Sequence, residues 1–192
     1  MPTAQEYFQR VFDRYPVAWD EGPFLYRQLN FARNQVALDC DVVRKFSVLA
    51  NTDVITLDRP FLAVRRVYYQ KKDNEFTYAL KYKATAFNPT KKWSNLPTNY
   101  YLVYPDRVYI LPTDFEKNDD DKFEIYYVPK CQDMSNLIDI ETDLPEQLTE
   151  LVVLQVCMRL AENDLQYAVK QYFENEYKLQ LLKVPKASYL YG

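Results

Sequence analysis

Hydrophobic spacing changes period twice along this chain, and that double change restricts the fold more than any other feature. Apolar residues recur every three or four positions up to Phe46, alternate in short runs between Val54 and Pro129, and return to helical spacing from Leu144. Helix-period and strand-period segments do not substitute for one another, so the order of elements is helix, sheet, helix.

Within the first region, Tyr7, Phe8, Val11 and Phe12 stand at helical spacing between Thr3 and Tyr15, and Pro16 closes the segment. After Glu21-Gly22-Pro23, the run Phe24 to Phe46 places Leu25, Leu29, Phe31, Ala32, Val36, Ala37, Cys40 and Val43 on one broad stripe, which predicts a long helix with Pro23 in its first turn. Six strands are predicted next: Val54–Leu57, Phe61–Gln70, Glu75–Lys83, Asn99–Tyr104, Arg107–Leu111 and Phe123–Val128. In the last, Phe123, Ile125 and Tyr127 alternate with Glu124 and Tyr126, as a strand with one buried face requires. Tyr104-Pro105-Asp106-Arg107 has proline at a favoured turn position and should close a tight antiparallel hairpin.

The return to helix begins at Leu144-Pro145-Glu146, and Leu148, Leu151, Val152, Gln155, Val156 and Leu160 then repeat at helical intervals. Leu154, Cys157 and Met158 widen that stripe, which fits either contact with more than one neighbour or a central helix wholly inside its own domain. Asp164 is a fit N-cap for a second helix from Leu165 to Leu182, with Leu165, Ala168, Tyr172, Tyr177 and Leu181 on its apolar side. Pro185 ends that helix. The expectation is therefore an α+β fold with N-terminal helices, a central antiparallel sheet and hairpin region, two long C-terminal helices and an extended tail. It is read as one domain over residues 1–192, with helical parts 3–50 and 144–183 framing a β region 54–129, and residues 184–192 as the tail.

What the chain lacks narrows its chemistry. There is no histidine, which removes the usual general base, the Ser-His and Cys-His nucleophile pairs and histidine-containing zinc motifs. Gly22 and Gly192 are the only glycines, so no phosphate-cradling Walker or GxGxxG loop exists. Cys40, Cys131 and Cys157 are odd in number and far apart, which points to buried free thiols, with no disulfide framework, metal site or cofactor implied. A pair of carboxylates remains open for glycosidase chemistry. The densest acidic run, Asp119-Asp120-Asp121, reads as a solvated hairpin tip.

A net charge of −3 with interspersed signs argues against capture of nucleic acid through a basic face. No run approaches the roughly 18 apolar residues of a membrane span, and Met1 to Arg14 lacks a signal core, so a cytosol-like compartment without membrane association is expected. Eighteen tyrosines and eleven phenylalanines suit subunit contacts, or else half-exposed strands.

Tyr26-Arg27-Gln28-Leu29-Asn30-Phe31-Ala32-Arg33 is followed by Thr56-Leu57-Asp58-Arg59-Pro60 and Ala63-Val64-Arg65-Arg66-Val67. Leu96-Pro97-Thr98-Asn99-Tyr100-Tyr101, Val108-Tyr109-Ile110-Leu111-Pro112, Glu124-Ile125-Tyr126-Tyr127-Val128-Pro129 and Leu144-Pro145-Glu146 come next in order, within residues 24 to 183. In these segments and their order the chain resembles the phage head-to-tail connector or adaptor proteins of podovirus-like or crAss-like viruses. Family members commonly have glycine before and within the hairpin, where this chain has Lys92-Trp93-Ser94-Asn95 and Pro105-Asp106.

The resemblance implies a non-enzymatic virion protein of the phage neck, made in the host cytoplasm. It implies a homo-oligomeric ring of about twelve copies below the portal protein that connects it to tail or second-ring proteins and extends the DNA channel. DNA would pass through that lumen without specific binding, which a mixed or acidic lining favours. Alternatives are a second tail ring or gatekeeper, a monomeric assembly factor and a carboxylate-dependent wall hydrolase. The candidate partner-interface residues are Lys183, Lys186, Tyr189, Leu190 and Tyr191: this aromatic end either docks on the portal or a neighbouring subunit, or folds back on its own helices.

Overall fold

The computed structural model describes residues 1–16, 22–72, 77–82, 98–111, 116–184 and the backbone of 189–191. The chain forms two compact units. One is helical, Met1–Val42 with Cys131–Ser188; the other holds the sheet, Val43–Lys130 with Tyr189–Gly192.

In the helical unit, α1 (Ala4–Arg14) starts at a capping box. Thr3 Oγ1 accepts from Glu6 N at 3.2 Å, and the Thr3 amide donates to Glu6 Oε2 at 2.7 Å. Its buried residues Ala4, Tyr7, Phe8 and Val11 recur as the sequence requires. Helix α2 (Pro23–Asp39) carries Pro23 at its start. A 3-10 turn at Glu146–Leu148 leads into α3 (Thr149–Asn163), where Leu151, Val152, Val153 and Leu154 are all buried in succession. Burial on every side makes α3 the central helix of the unit, packed by α1, α2 and α4 (Tyr167–Lys183).

The long helix expected over Phe24–Phe46, and with it a helical region reaching residue 50, is corrected. Helix α2 stops at Asp39, Asp41 takes a left-handed conformation (φ 50°), and β1 (Val42–Leu49) follows. Asp tolerates that conformation better than most residues, while β-branched Val42 and Val43 start a strand readily. Burial in β1 then alternates through Phe46 and Val48, a period-two signal that overlaps the helical one.

The second C-terminal helix begins two residues later than expected. Asp164 caps the end of α3, its carboxylate accepts from Tyr15 Oη at 2.8 Å, and Leu165 is left-handed (φ 57°). Helix α4 then packs along α3.

The sheet unit orders its strands β2-β6-β5-β4-β3-β7-β1-β8. They are β2 (Val54–Thr56), β3 (Phe61–Gln70), β4 (Thr77–Tyr82), β5 (Tyr100–Val103), β6 (Arg107–Ile110), β7 (Lys122–Pro129) and β8 (Tyr189–Tyr191). The six predicted strands are present, although Glu75 and Lys83 lie outside the described residues. Two expectations change. The sheet is mixed, since β4 and β5 pair in parallel, and residues 189–191 of the extended tail form a strand beside β1. Phe123, Ile125 and Tyr127 of β7 join Val67, Tyr69, Leu80, Val108 and Ile110 in the core, so the predicted alternation holds.

The β5–β6 hairpin closes over Pro105-Asp106 with neither residue at positive φ, and Tyr104 N donates to Arg107 O at 2.9 Å. Glycine is unnecessary at that turn. The loop Lys92–Asn95 lies outside the described residues. The acidic run divides: Asp119 and Asp120 are exposed as a solvated tip requires, but Asp121 is buried. Its carboxylate accepts from Tyr69 Oη and from the amides of Lys72 and Asn118, each amide at 3.0 Å. Burial pushes its pKa up, but these donors outweigh burial and hold it below the usual carboxylate range.

Candidate assembly surface

Between the sheet and α3 the chain runs from Cys131 to Leu144 almost without regular structure, and side chains of α2 supply the order that backbone pairing does not. Asn30 Oδ1 accepts from the Met134 amide and its Nδ2 donates to the Met134 carbonyl, both at 2.9 Å. Asn34 Oδ1 accepts from the Cys131 amide at 2.9 Å. The start of the chain holds the other side: the amides of Ala4 and Gln5 donate to Asp139 O and Leu137 O, and the Glu141 amide donates to Pro2 O. A loop with this many fixed backbone groups behaves as a rigid part of the unit.

At its centre lies Arg33, buried with Glu141; each side chain is only 1% exposed. Arg33 Nε donates to Glu141 Oε2 at 2.6 Å and Nη2 to Oε1 at 2.8 Å, a bidentate pair, while Nη1 reaches the Gln132 carbonyl at 2.6 Å. Asp143 stands 3.8 Å from the guanidinium and accepts from the Gln132 amide at 2.6 Å. Glu141 Oε1 also accepts from the amides of Asp143 and Leu144, at 2.9 and 3.2 Å. Burial lowers the pKa of Arg33, but the hydrogen bonds and charge of Glu141 outweigh it and leave the guanidinium above its ordinary value. Tyr7, whose Oη lies 3.3 Å from Glu141, is pushed up by burial and then by that carboxylate. These acids are committed to Arg33 and to backbone amides.

Among the polar side chains that the rigid loop displays stand two isoleucines. Ile138 is 80% exposed and Ile140 58%, beside a cavity of about 470 Å³ that Arg33, Met134, Ile138, Asp139 and Ile140 help to line. Sequence reasoning missed these isoleucines; the signal was Leu137, Ile138 and Ile140 close together inside a largely polar stretch.

Helix α4 presents the second uncovered patch. Its buried face consists of Phe173 and Tyr177, the latter donating to Asp39 Oδ2 at 2.6 Å. Of the apolar side expected for this helix, only Tyr177 is buried and Leu181 half-buried. Leu165, Ala168 and Tyr172 are exposed, because the left-handed residue before the helix resets which face meets α3. Tyr172, Leu179 and Leu182 are 58%, 56% and 80% exposed.

Of the residues expected at a partner interface, Lys183 is the exposed last residue of α4. Lys186 lies outside the described residues, and Tyr189, Leu190 and Tyr191 make up β8 beside β1. No helix among the described residues is long and apolar enough to cross a membrane. Compared with known proteins, residues 2–188 match the model of a family described as SU10 adaptor protein. No curated protein matches the chain.

Proposed function

The chain belongs to the SU10 adaptor family, phage head-to-tail adaptors, and from that premise we propose that it is a structural subunit of the virion neck that closes into a ring beneath the portal. About twelve copies would join the portal to tail proteins and continue the DNA channel. The observation that carries this reading is the apolar surface exposed among the described residues of the helical unit. Ile138, Ile140, Tyr172, Leu179 and Leu182 stand on a fixed loop and on a packed helix, so their exposure is built into the fold. A function of assembly uses such surface and needs no reaction centre. The net charge of −3 suits a lumen through which DNA slides without being held.

The C-terminal segment containing Lys183, Lys186, Tyr189, Leu190 and Tyr191 docks, on this reading, on the portal or a neighbouring subunit. A three-residue strand has few backbone hydrogen bonds to exchange, so β8 can trade the edge of β1 for an edge offered by a partner. Deleting residues 186–192 and measuring binding to portal-bearing heads tests the docking. Loss of binding is expected, and unchanged binding refutes it. Imaging the neck of finished particles tests the ring itself: a closed density assignable to this chain directly below the portal is expected, and its absence refutes the reading.

A further inference from the structure

Charge is divided unevenly between the two units. Of the chain's 27 Asp and Glu residues and 24 Lys and Arg residues, the helical unit holds sixteen and nine, and the sheet unit eleven and fifteen. The helical unit is negative by seven charges and the sheet unit positive by four, although the chain as a whole is only −3. Burial does not level the two. Arg33, Glu141 and Asp143 are buried in the first and Asp121 in the second, so each excess lies on the surface. Nor do ion pairs within a unit, such as Arg14–Glu150, Lys170–Glu162 and Lys178–Glu174, since each takes one charge of either sign.

Strand register concentrates the positive excess. Strands β1, β7, β3 and β4 are neighbours in the sheet and contain six basic residues and one acid, Glu124. Ile125, Val67 and Leu80 point into the core, so the residues next to them point outward. Tyr126 lies between its partners Lys45 and Arg66, and Lys81 of β4 follows Leu80, the partner of Val67. Lys45, Arg66 and Lys81 therefore form an exposed outward band across four strands, roughly 14 Å wide at the usual strand spacing, with exposed Lys122 on the same face of β7. Glu124 neutralises one of these cations, Lys45, by an ion pair. Like charges on neighbouring strands repel, and an anionic surface laid over them relieves that repulsion.

We infer that the outer face of the sheet unit in one copy lies against the helical unit of the next copy, and that this pairing of charge repeats around the ring. The inference rests on the ring reading and names the surfaces that make the ring. A ring needs two different surfaces on each subunit, and this chain carries two of opposite sign. Contact between like units of two copies would instead set like charges together. A band of cations turned to the channel in every subunit would hold passing DNA phosphates by releasing their counterions, against the free passage a channel requires.

The test assembles particles from a mixture of isotopically light and heavy chains, couples lysine amines to adjacent carboxylates with a carbodiimide, and identifies the joined peptides by mass spectrometry. Links between chains of different mass should join Lys81 or Lys122, which form no ion pair among the described residues, to acids within 1–42 or 131–184. Lys81→Glu combined with Lys122→Glu, both at exposed positions, should keep the circular dichroism spectrum of the unmodified chain. That variant should enter particles about tenfold less at low salt, with a smaller gap at high salt, where the attraction is screened. If links between chains of different mass join only like units, or none form, the contact is overturned, and normal entry of the double variant overturns it as well. Coupling of Lys81 and Lys122 that begins only after the DNA is removed would overturn it in favour of nucleic acid. Each of these results leaves the ring intact, whereas a chain absent from the neck would sink the ring reading, and this contact with it.

Discussion

Replacing Arg33 with methionine removes the guanidinium while keeping much of its aliphatic volume, and it isolates the role of the buried ion pair. The variant leaves Glu141 charged at 1% exposure with its bidentate partner gone. Breaking a buried pair from one side costs about 3–5 kcal/mol, because the remaining charge is uncompensated. Set against a typical total of about 5–15 kcal/mol, that is a large share. For a chain of this length it corresponds to a fall in Tm of roughly 6–20 °C.

Urea unfolding followed by circular dichroism at pH 7 measures the loss. The companion Glu141→Gln retains a carbonyl oxygen for the Asp143 and Leu144 amides, so the double variant should lose less than the sum of the single ones, by about 2 kcal/mol. A cost below about 1 kcal/mol for Arg33→Met, or strict additivity in the cycle, would refute the claim that this pair organises the loop.

Asp121→Asn should flatten the acid limb of stability. Because the folded-state pKa of Asp121 is depressed, its contribution is complete above the unfolded value and disappears as pH falls through the folded one. Tm measured from pH 7 down to pH 3 should therefore fall less steeply in the variant, and parallel curves would contradict this. Burial pushes the thiol of Cys157 up to about 12 and that of Cys40 up to about 11, so neither should react with a thiol reagent at pH 8 until the chain is denatured. Immediate labelling of these thiols in the native protein would count against that burial.

Much of the fold is legible locally because local signals agree there. Strand β7 alternates cleanly, the Pro105-Asp106 turn needs only proline's fixed φ, and α1 displays its capping box as Thr3-x-x-Glu6. Misreadings occur where two signals share the same residues. Phe46 and Val43 fit a helical stripe as well as a strand, and only the left-handed turn at Asp41 decides between them. Asp164 has the chemistry of an N-cap, but Tyr15 reaches it from far away in sequence and α3 ends on it instead.

The exposed apolar patches were the least legible part. Exposure of Leu182 or Ile138 depends on what else covers them, and periodicity does not report that. Arg33 did carry a signal, a charged residue beside Ala32 and Val36 on an apolar stripe, but not the identity of Glu141, 108 residues away.

The discontinuity of the helical unit dictates a folding schedule. Residues 43–130 are contiguous, so apart from β8 the sheet can form while later residues are still being synthesised. The helical unit cannot: Pro2, Thr3 and Ala4 find their backbone partners only at residues 139–141, and α3 emerges after those. Until translation passes α3, the apolar faces of α1 and α2 wait without their core. A nascent chain paused before Leu144 should therefore expose a folded sheet and a pair of helices open to chaperones.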